Sequence, residues 1–154
     1  MKKFEFKLET VLKIRTRVEE QRQIELHQAE MKRVEAERQL RLKENEVQDT
    51  SRRYQAFLSG RFDLNLANHY QHYLTWLNHL RDQHQLYLQK CESLVEQARQ
   101  QLQEAAKEKK VIEKLKEKAY QEYKALELLE ETKFLDELGT NRFLRQDNIN
   151  QGDL

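Results

Sequence analysis

The sequence has no proline and only three glycines, Gly60, Gly139 and Gly152, so no proline interrupts a helix and no glycine-rich phosphate loop can form. Its one cysteine, Cys91, has no partner for an internal disulfide, which suits a reducing compartment. Hydrophobic residues make up 38% of the chain against 36% charged, too little for a thick globular core in 154 residues. No apolar run approaches the roughly 18 residues of a membrane span, and Met1-Lys2-Lys3-Phe4-Glu5-Phe6-Lys7 lacks the apolar core of a signal peptide. Twenty-eight Lys and Arg balance twenty-seven Asp and Glu, so no field of one sign draws the chain to nucleic acid or anionic lipid. Any binding has to come from local surfaces.

What the sequence has is a repeat. Alternating steps of four and three residues from Leu66 land on Tyr70, Tyr73, Leu77, Leu80, His84, Tyr87, Cys91, Leu94, Ala98, Gln101, Ala105, Glu108, Ile112, Leu115, Ala119, Glu122, Leu126 and Leu129. Fifteen of these nineteen positions are apolar, the mark of a long helix burying a narrow seam against another helix. A shorter repeat precedes it in two registers: Phe4, Leu8, Val11, Arg15, Val18, Arg22 and Glu25, then Leu26, Ala29, Arg33, Ala36, Leu40, Lys43, Val47, Thr50, Tyr54 and Phe57. The offset of one residue predicts a local irregularity between Glu25 and Ala29. Ser59-Gly60 reads as a turn, with Asp63 or Asn65 able to cap the helix that follows.

The fold class is therefore all-α: two long helices in an antiparallel coiled-coil hairpin, the second longer and overhanging. A single domain spans 1–138, with the first helix at about 5–58, the turn at about 59–62 and the second helix at about 63–138; 139–154 form a flexible tail after Gly139. If facing residue numbers add to 123 or 124, Phe57 meets Leu66, Tyr54 meets Tyr70, Val47 meets Leu77, Leu40 meets His84, Ala36 meets Tyr87 and Ala29 meets Leu94. The same rule sets Arg15 against Glu108, an ion pair suited to fixing register. It also exhausts the first helix opposite Ala119, leaving roughly 19 residues of the second helix, ~28 Å, with no partner in the chain. That stretch is apolar (Tyr120, Tyr123, Leu126, Leu128, Leu129, Phe134, Leu135, Leu138) and acidic (Glu122, Glu127, Glu130, Glu131, Asp136, Glu137), as a docking surface would be.

Residues that invite catalytic or metal readings have simpler ones. His69, His72, His79 and His84 lie along one helix without a carboxylate or thiol placed to complete a metal shell, and Cys91 occupies a seam position as a small hydrophobe. Lys107, Lys109, Lys110, Lys114, Lys116 and Lys118 are interleaved with Glu108, Glu113 and Glu117, a solvated flank rather than a nucleic-acid patch. A thin hairpin offers no water-excluding pocket in which carboxylate pKa values would shift, so no enzyme activity, cofactor or metal is expected.

The segment from Arg99 to Lys118, followed by Lys133-Phe-Leu-Asp-Glu-Leu138 and Arg142-Phe143, resembles the C-terminal signature of the FliJ family of flagellar export proteins. The opening, Phe4 to Arg15 with Glu19-Glu20, resembles the family's start, so the likeness covers nearly the whole chain. It implies a non-enzymatic coiled-coil stalk in the cytoplasm, at the cytoplasmic face of the inner membrane only through its partners, within a type III protein export apparatus that serves motility. The implied partners are a hexameric export ATPase, the cytoplasmic domain of the export gate and export chaperones. The overhang (Tyr120, Tyr123, Leu126, Leu129, Phe134, Leu135, Asp136, Leu138) would enter the ATPase ring. The family's gate-binding face maps onto the tip half of the hairpin at Val47, Tyr54, Tyr73, Leu77, Leu80 and His84, with Trp76 on the exposed flank. Three alternatives share the shape: a stalk of a virulence secretion system or rotary ATPase, an RNA-binding arm carrying Arg52, Arg53 and Arg61, and a coiled coil that self-associates through the overhang.

Overall fold

A computed structural model describes residues 2–61 and 63–151 of the chain. Two helices, α1 (Glu9–Leu58, 50 residues) and α2 (Leu64–Gln151, 88 residues), make up nearly all of it, and there is no strand among the described residues. The second helix is the longer, as the repeat predicts. The chain divides into two compact units: Met1–Thr16 with Lys107–Leu154, and Arg17–Ala106.

The second unit is an antiparallel helical hairpin. Its α1 portion is helical on local grounds, with no proline or glycine and pairs three or four residues apart: Arg22–Glu25 at 2.8 Å, Arg33–Glu37 at 3.1 Å, Glu35–Arg38 at 2.7 Å and Lys43–Glu46 at 3.3 Å. Such pairs contribute a few tenths of a kcal/mol each. Hydrogen bonds from Arg38 and Gln39 hold the Glu35 carboxyl down to about 2. At the turn, the Gly60 N–H donates to the Phe57 carbonyl at 3.1 Å and the Ser59 hydroxyl to the Gln55 carbonyl at 3.0 Å. Of the two cap candidates Asp63 serves: its carboxylate accepts the Asn65 N–H at 3.0 Å, and its carbonyl accepts the Ala67 N–H at 3.0 Å. Phe62 lies outside the described residues.

The seam on α1 lies where the sequence places it, with Leu26, Ala29, Arg33, Ala36, Leu40, Lys43, Val47, Thr50, Tyr54 and Phe57 all half-buried or buried. The register offset leaves α1 unbroken; Glu25 and Leu26 are both half-buried where the two registers meet. Tyr54 stacks on Tyr70 at 5.5 Å between centroids, and Arg22 donates to Gln101 at 3.2 Å, as the facing rule requires.

On α2 one of the two expected rows holds and the other moves by one residue. Tyr70, Leu77, His84, Cys91, Ala98 and Ala105 face inward, but the second inward row is Ala67, Leu74, Arg81, Leu88, Val95 and Leu102, with Arg81 half-buried, while Leu66, Tyr73, Tyr87 and Leu94 are exposed. Ala67 and Val95 of this row are buried, and the displaced tyrosines keep their hydroxyls near water. The core is thin: Leu77, at 0% relative exposure, is the one large side chain fully buried among the described residues.

In the first unit, residues 2–6 are non-helical and α1 begins at Glu9, later than the expected position of about 5. Phe4 and Phe6 are half-buried while Lys3, Glu5 and Lys7 are exposed, a period of two that belongs to an extended segment. Arg15 pairs with Glu108 as expected, but both side chains are substantially exposed, so the pair contributes at most ~1 kcal/mol. Lys116, on the shifted row, reaches Glu9 at 2.8 Å.

The second helix passes through Gly139 and ends at Gln151, not at about Leu138. No described residue has positive φ, so Gly139 sits in ordinary helical geometry instead of the left-handed stop expected there. The remaining expected tail residues, 152–154, lie outside the described residues.

Two stability predictions follow from these placements. Leu77→Ala should lower unfolding free energy by about 2–5 kcal/mol in denaturant melts, whereas Trp76→Ala beside it, 54% exposed, should change it by less than about 1 kcal/mol. Nothing lies within 4 Å of a Cβ built on Gly139, so Gly139→Ala should steady the local helix by about 0.5–1 kcal/mol, read as slower amide exchange around residue 139.

Candidate partner-binding surfaces

The first unit carries the expected C-terminal surface, and its near end is already occupied by the chain itself. Phe4 packs against Tyr120 at 5.3 Å and Tyr123 at 5.4 Å between ring centroids, and the Tyr123 hydroxyl donates to the Lys2 carbonyl at 2.9 Å. The Lys124 ammonium lies 5.8 Å over the Tyr120 ring and 3.3 Å from Glu127, whose carboxylate raises the lysine pKa. Tyr120 and Tyr123 thus hold the N-terminal segment, which the facing rule alone did not show.

Beyond Glu127, every residue through Asp147 is exposed. Leu126, Leu129, Phe134, Leu135 (65% exposed) and Leu138 all lie bare in this stretch or at its start, with Asp136 among them. At 100° per residue these apolar side chains point in every direction around the helix rather than along one stripe.

A groove of about 740 Å³ opens between the N-terminal segment and α2 in this unit. Phe4, Phe6, Leu8, Leu115, Ala119 and Leu126 supply apolar walls, and Lys2, Lys3 and Lys7 stand around it. The alternation of Phe4 and Phe6 with Lys3, Glu5 and Lys7 is the sequence signal that marks residues 2–6 as extended.

The second unit carries the tip residues, and the structure separates them. Val47, Tyr54 and His84 are half-buried in the seam and Leu77 is fully buried, so these four hold the helices together. Tyr73 and Trp76 are exposed with their rings 5.8 Å apart, and Leu80 is half-buried next to them. Leu66, Tyr87 and Leu94 extend the exposed set along α2 and were assigned to the seam by periodicity alone. Their seven-residue spacing from Tyr73 and Leu80 is the signal that groups them. A hydrogen bond with the Cys91 thiol raises the Tyr87 hydroxyl pKa.

Among the described residues no three His, Cys, Asp or Glu side chains are grouped so as to hold a metal ion, and no helix is long and apolar enough to cross a membrane. The lysines from Lys107 to Lys118 do not form one uninterrupted cationic face: Lys109 lies 3.8 Å from Glu113, and Lys116 is paired with Glu9.

A search of curated proteins and a search of solved structures each gave no match. The family model described as "Flagellar FliJ protein" matches residues 4–148. That span takes in the N-terminal segment, almost all of both helices and both exposed surfaces, and the chain belongs to the FliJ family of flagellar export-related proteins.

Proposed function

We propose that the chain is a cytoplasmic, non-enzymatic stalk of the flagellar type III export apparatus, joining the hexameric export ATPase to the export gate and receiving export chaperones. The observation that carries this reading is the end of α2, a single helix whose exposed leucines and phenylalanines face all directions. A one-sided groove on a partner would cover only one stripe of such a helix, whereas the pore of a ring covers it all round. Glu130, Glu131, Asp136 and Glu137 give this stretch an acidic character that suits a basic pore lining.

Tyr120 and Tyr123 enter this picture as anchors of the N-terminal segment, so the ring contact falls to Leu126 and the residues beyond it. The gate contact falls to Tyr73, Trp76 and Leu80, the tip residues with side chains at the surface; Val47, Tyr54, Leu77 and His84 shape that surface from beneath. Exposed aromatic side chains are the usual anchors of such contacts.

One set of pull-downs on the full-length protein tests both assignments. Phe134→Ala with Leu135→Ala should weaken capture of the export ATPase by roughly tenfold or more and leave the gate's cytoplasmic domain bound, while Tyr73→Ala with Trp76→Ala should do the reverse. All four side chains are exposed, so circular dichroism should show unchanged helicity in both variants. Retention of the ATPase by the first variant would sink the ring-entry reading, and retention of the gate by the second would sink the tip assignment.

A further inference from the structure

The displaced row on α2 has a symmetry of its own. Leu66, Tyr73, Leu80, Tyr87 and Leu94 stand seven residues apart and read the same in both directions about Leu80. All but the half-buried Leu80 are exposed, Tyr87 by 52%. We propose that this row is a self-pairing surface, on which a second copy of the chain docks its own α2 antiparallel across a two-fold axis at Leu80. Such a pairing sets Leu66 against Leu94, Tyr73 against Tyr87 and Leu80 against Leu80, so every layer meets a side chain of its own kind. A two-fold interface places the same patch on both copies and makes every contact reciprocal, and a row that reads the same in both directions meets itself with leucine on leucine and tyrosine on tyrosine.

The charge pattern agrees. The row and its two neighbours on the outward side (65, 72, 79, 86, 93 and 69, 76, 83, 90, 97) comprise fifteen positions, of which Lys90 alone carries a formal charge. In a chain that is 36% charged, this is the depletion of charge and enrichment in aromatics found at the centre of protein interfaces. The two-fold operation brings no like charges together along the row, and the α1 side of the groove adds Glu25, Lys32 and Glu35, charges of both signs.

The hairpin groove beside the row supplies room at the right layers. A cavity of about 380 Å³ adjoins Tyr87, over Ala36 and His84, where Tyr73 of the second copy arrives. A smaller one, about 240 Å³, adjoins Leu94, over Ala29, Cys91 and Ala98, where the smaller Leu66 arrives. The larger cavity meets the larger side chain. From Leu66 to Leu94 the row covers 29 residues, ~42 Å of helix, and with a contact width of about 10 Å it buries roughly 400 Å² per copy. That lies below the roughly 800 Å² per partner of stable complexes, so the pairing is reversible rather than obligate.

The test uses the full chain alone, without flagellar partners, so its outcome is independent of the stalk reading. In sedimentation equilibrium the mass should rise from monomer to dimer with concentration, and Tyr73→Glu should weaken association by roughly tenfold or more while helicity is retained. In a Cys91→Ala background, Leu80→Cys should form a disulfide-linked dimer on mild oxidation. Leu66→Cys and Leu94→Cys should crosslink only when the two variants are mixed. A monomer at every concentration, self-crosslinking of Leu66→Cys alone, or a dimer indifferent to Tyr73→Glu would each overturn the proposal.

Discussion

Three of every seven positions in the first half of α2 are predominantly apolar, and one neighbouring helix can cover only two of those three rows. This constraint governs the second unit. The rows through Leu77 and through Val95 turn inward, and the row through Leu80 is left along the edge of the groove. Burial of a thin seam of alanines, leucines and valines holds the hairpin, with little contribution from exposed ion pairs. The leftover row is a consequence of this count: with the rows through Leu77 and Val95 turned inward, Leu66, Tyr73, Tyr87 and Leu94 are left exposed.

The first unit meets a related shortage differently. Where α1 has not yet begun, an extended segment covers α2, and Phe4 sits against two tyrosines whose neighbours would otherwise be solvent. A strand-like stretch presents side chains alternately to opposite sides, so Phe4 and Phe6 can reach α2 while Lys3, Glu5 and Lys7 stay wet. Past Glu127 every described side chain through Asp147 is exposed, and the helix continues with apolar side chains facing every direction.

The seam of α1, the turn, a cap at Asp63 or Asn65 and the Arg15–Glu108 pair were legible in the sequence, because each follows from spacing or from a local hydrogen-bonding need; the choice of Asp63 came from the structure. The choice between Tyr73 and Leu74 as the inward residue was not, since both lie on apolar rows and periodicity weighs them equally. It turns on which row meets α1 across the hairpin, and the row with Ala67 and Val95 is the one that does. The start of α1 was missed because Phe4 and Leu8 satisfy a helical step as well as an extended one. Gly139 misled in the opposite sense: glycine permits a left-handed stop without imposing it, and an uninterrupted helix on both sides carries the chain through. Leu77 was placed correctly in the seam, and that same placement removes it from the tip surface.

The proposed self-pairing and the proposed gate contact both draw on Tyr73 and Leu80, so one copy cannot engage both at once. A partner that binds only the unpaired form sees its affinity reduced by the fraction of unpaired chain, and its binding in turn dissolves the pair. Since the self-contact is small, that reduction is modest and reversible at low concentration and grows as copies accumulate. The residues beyond Leu126 take no part in the row. Ring capture and gate capture would then respond differently to concentration, the first insensitive to pairing and the second competing with it.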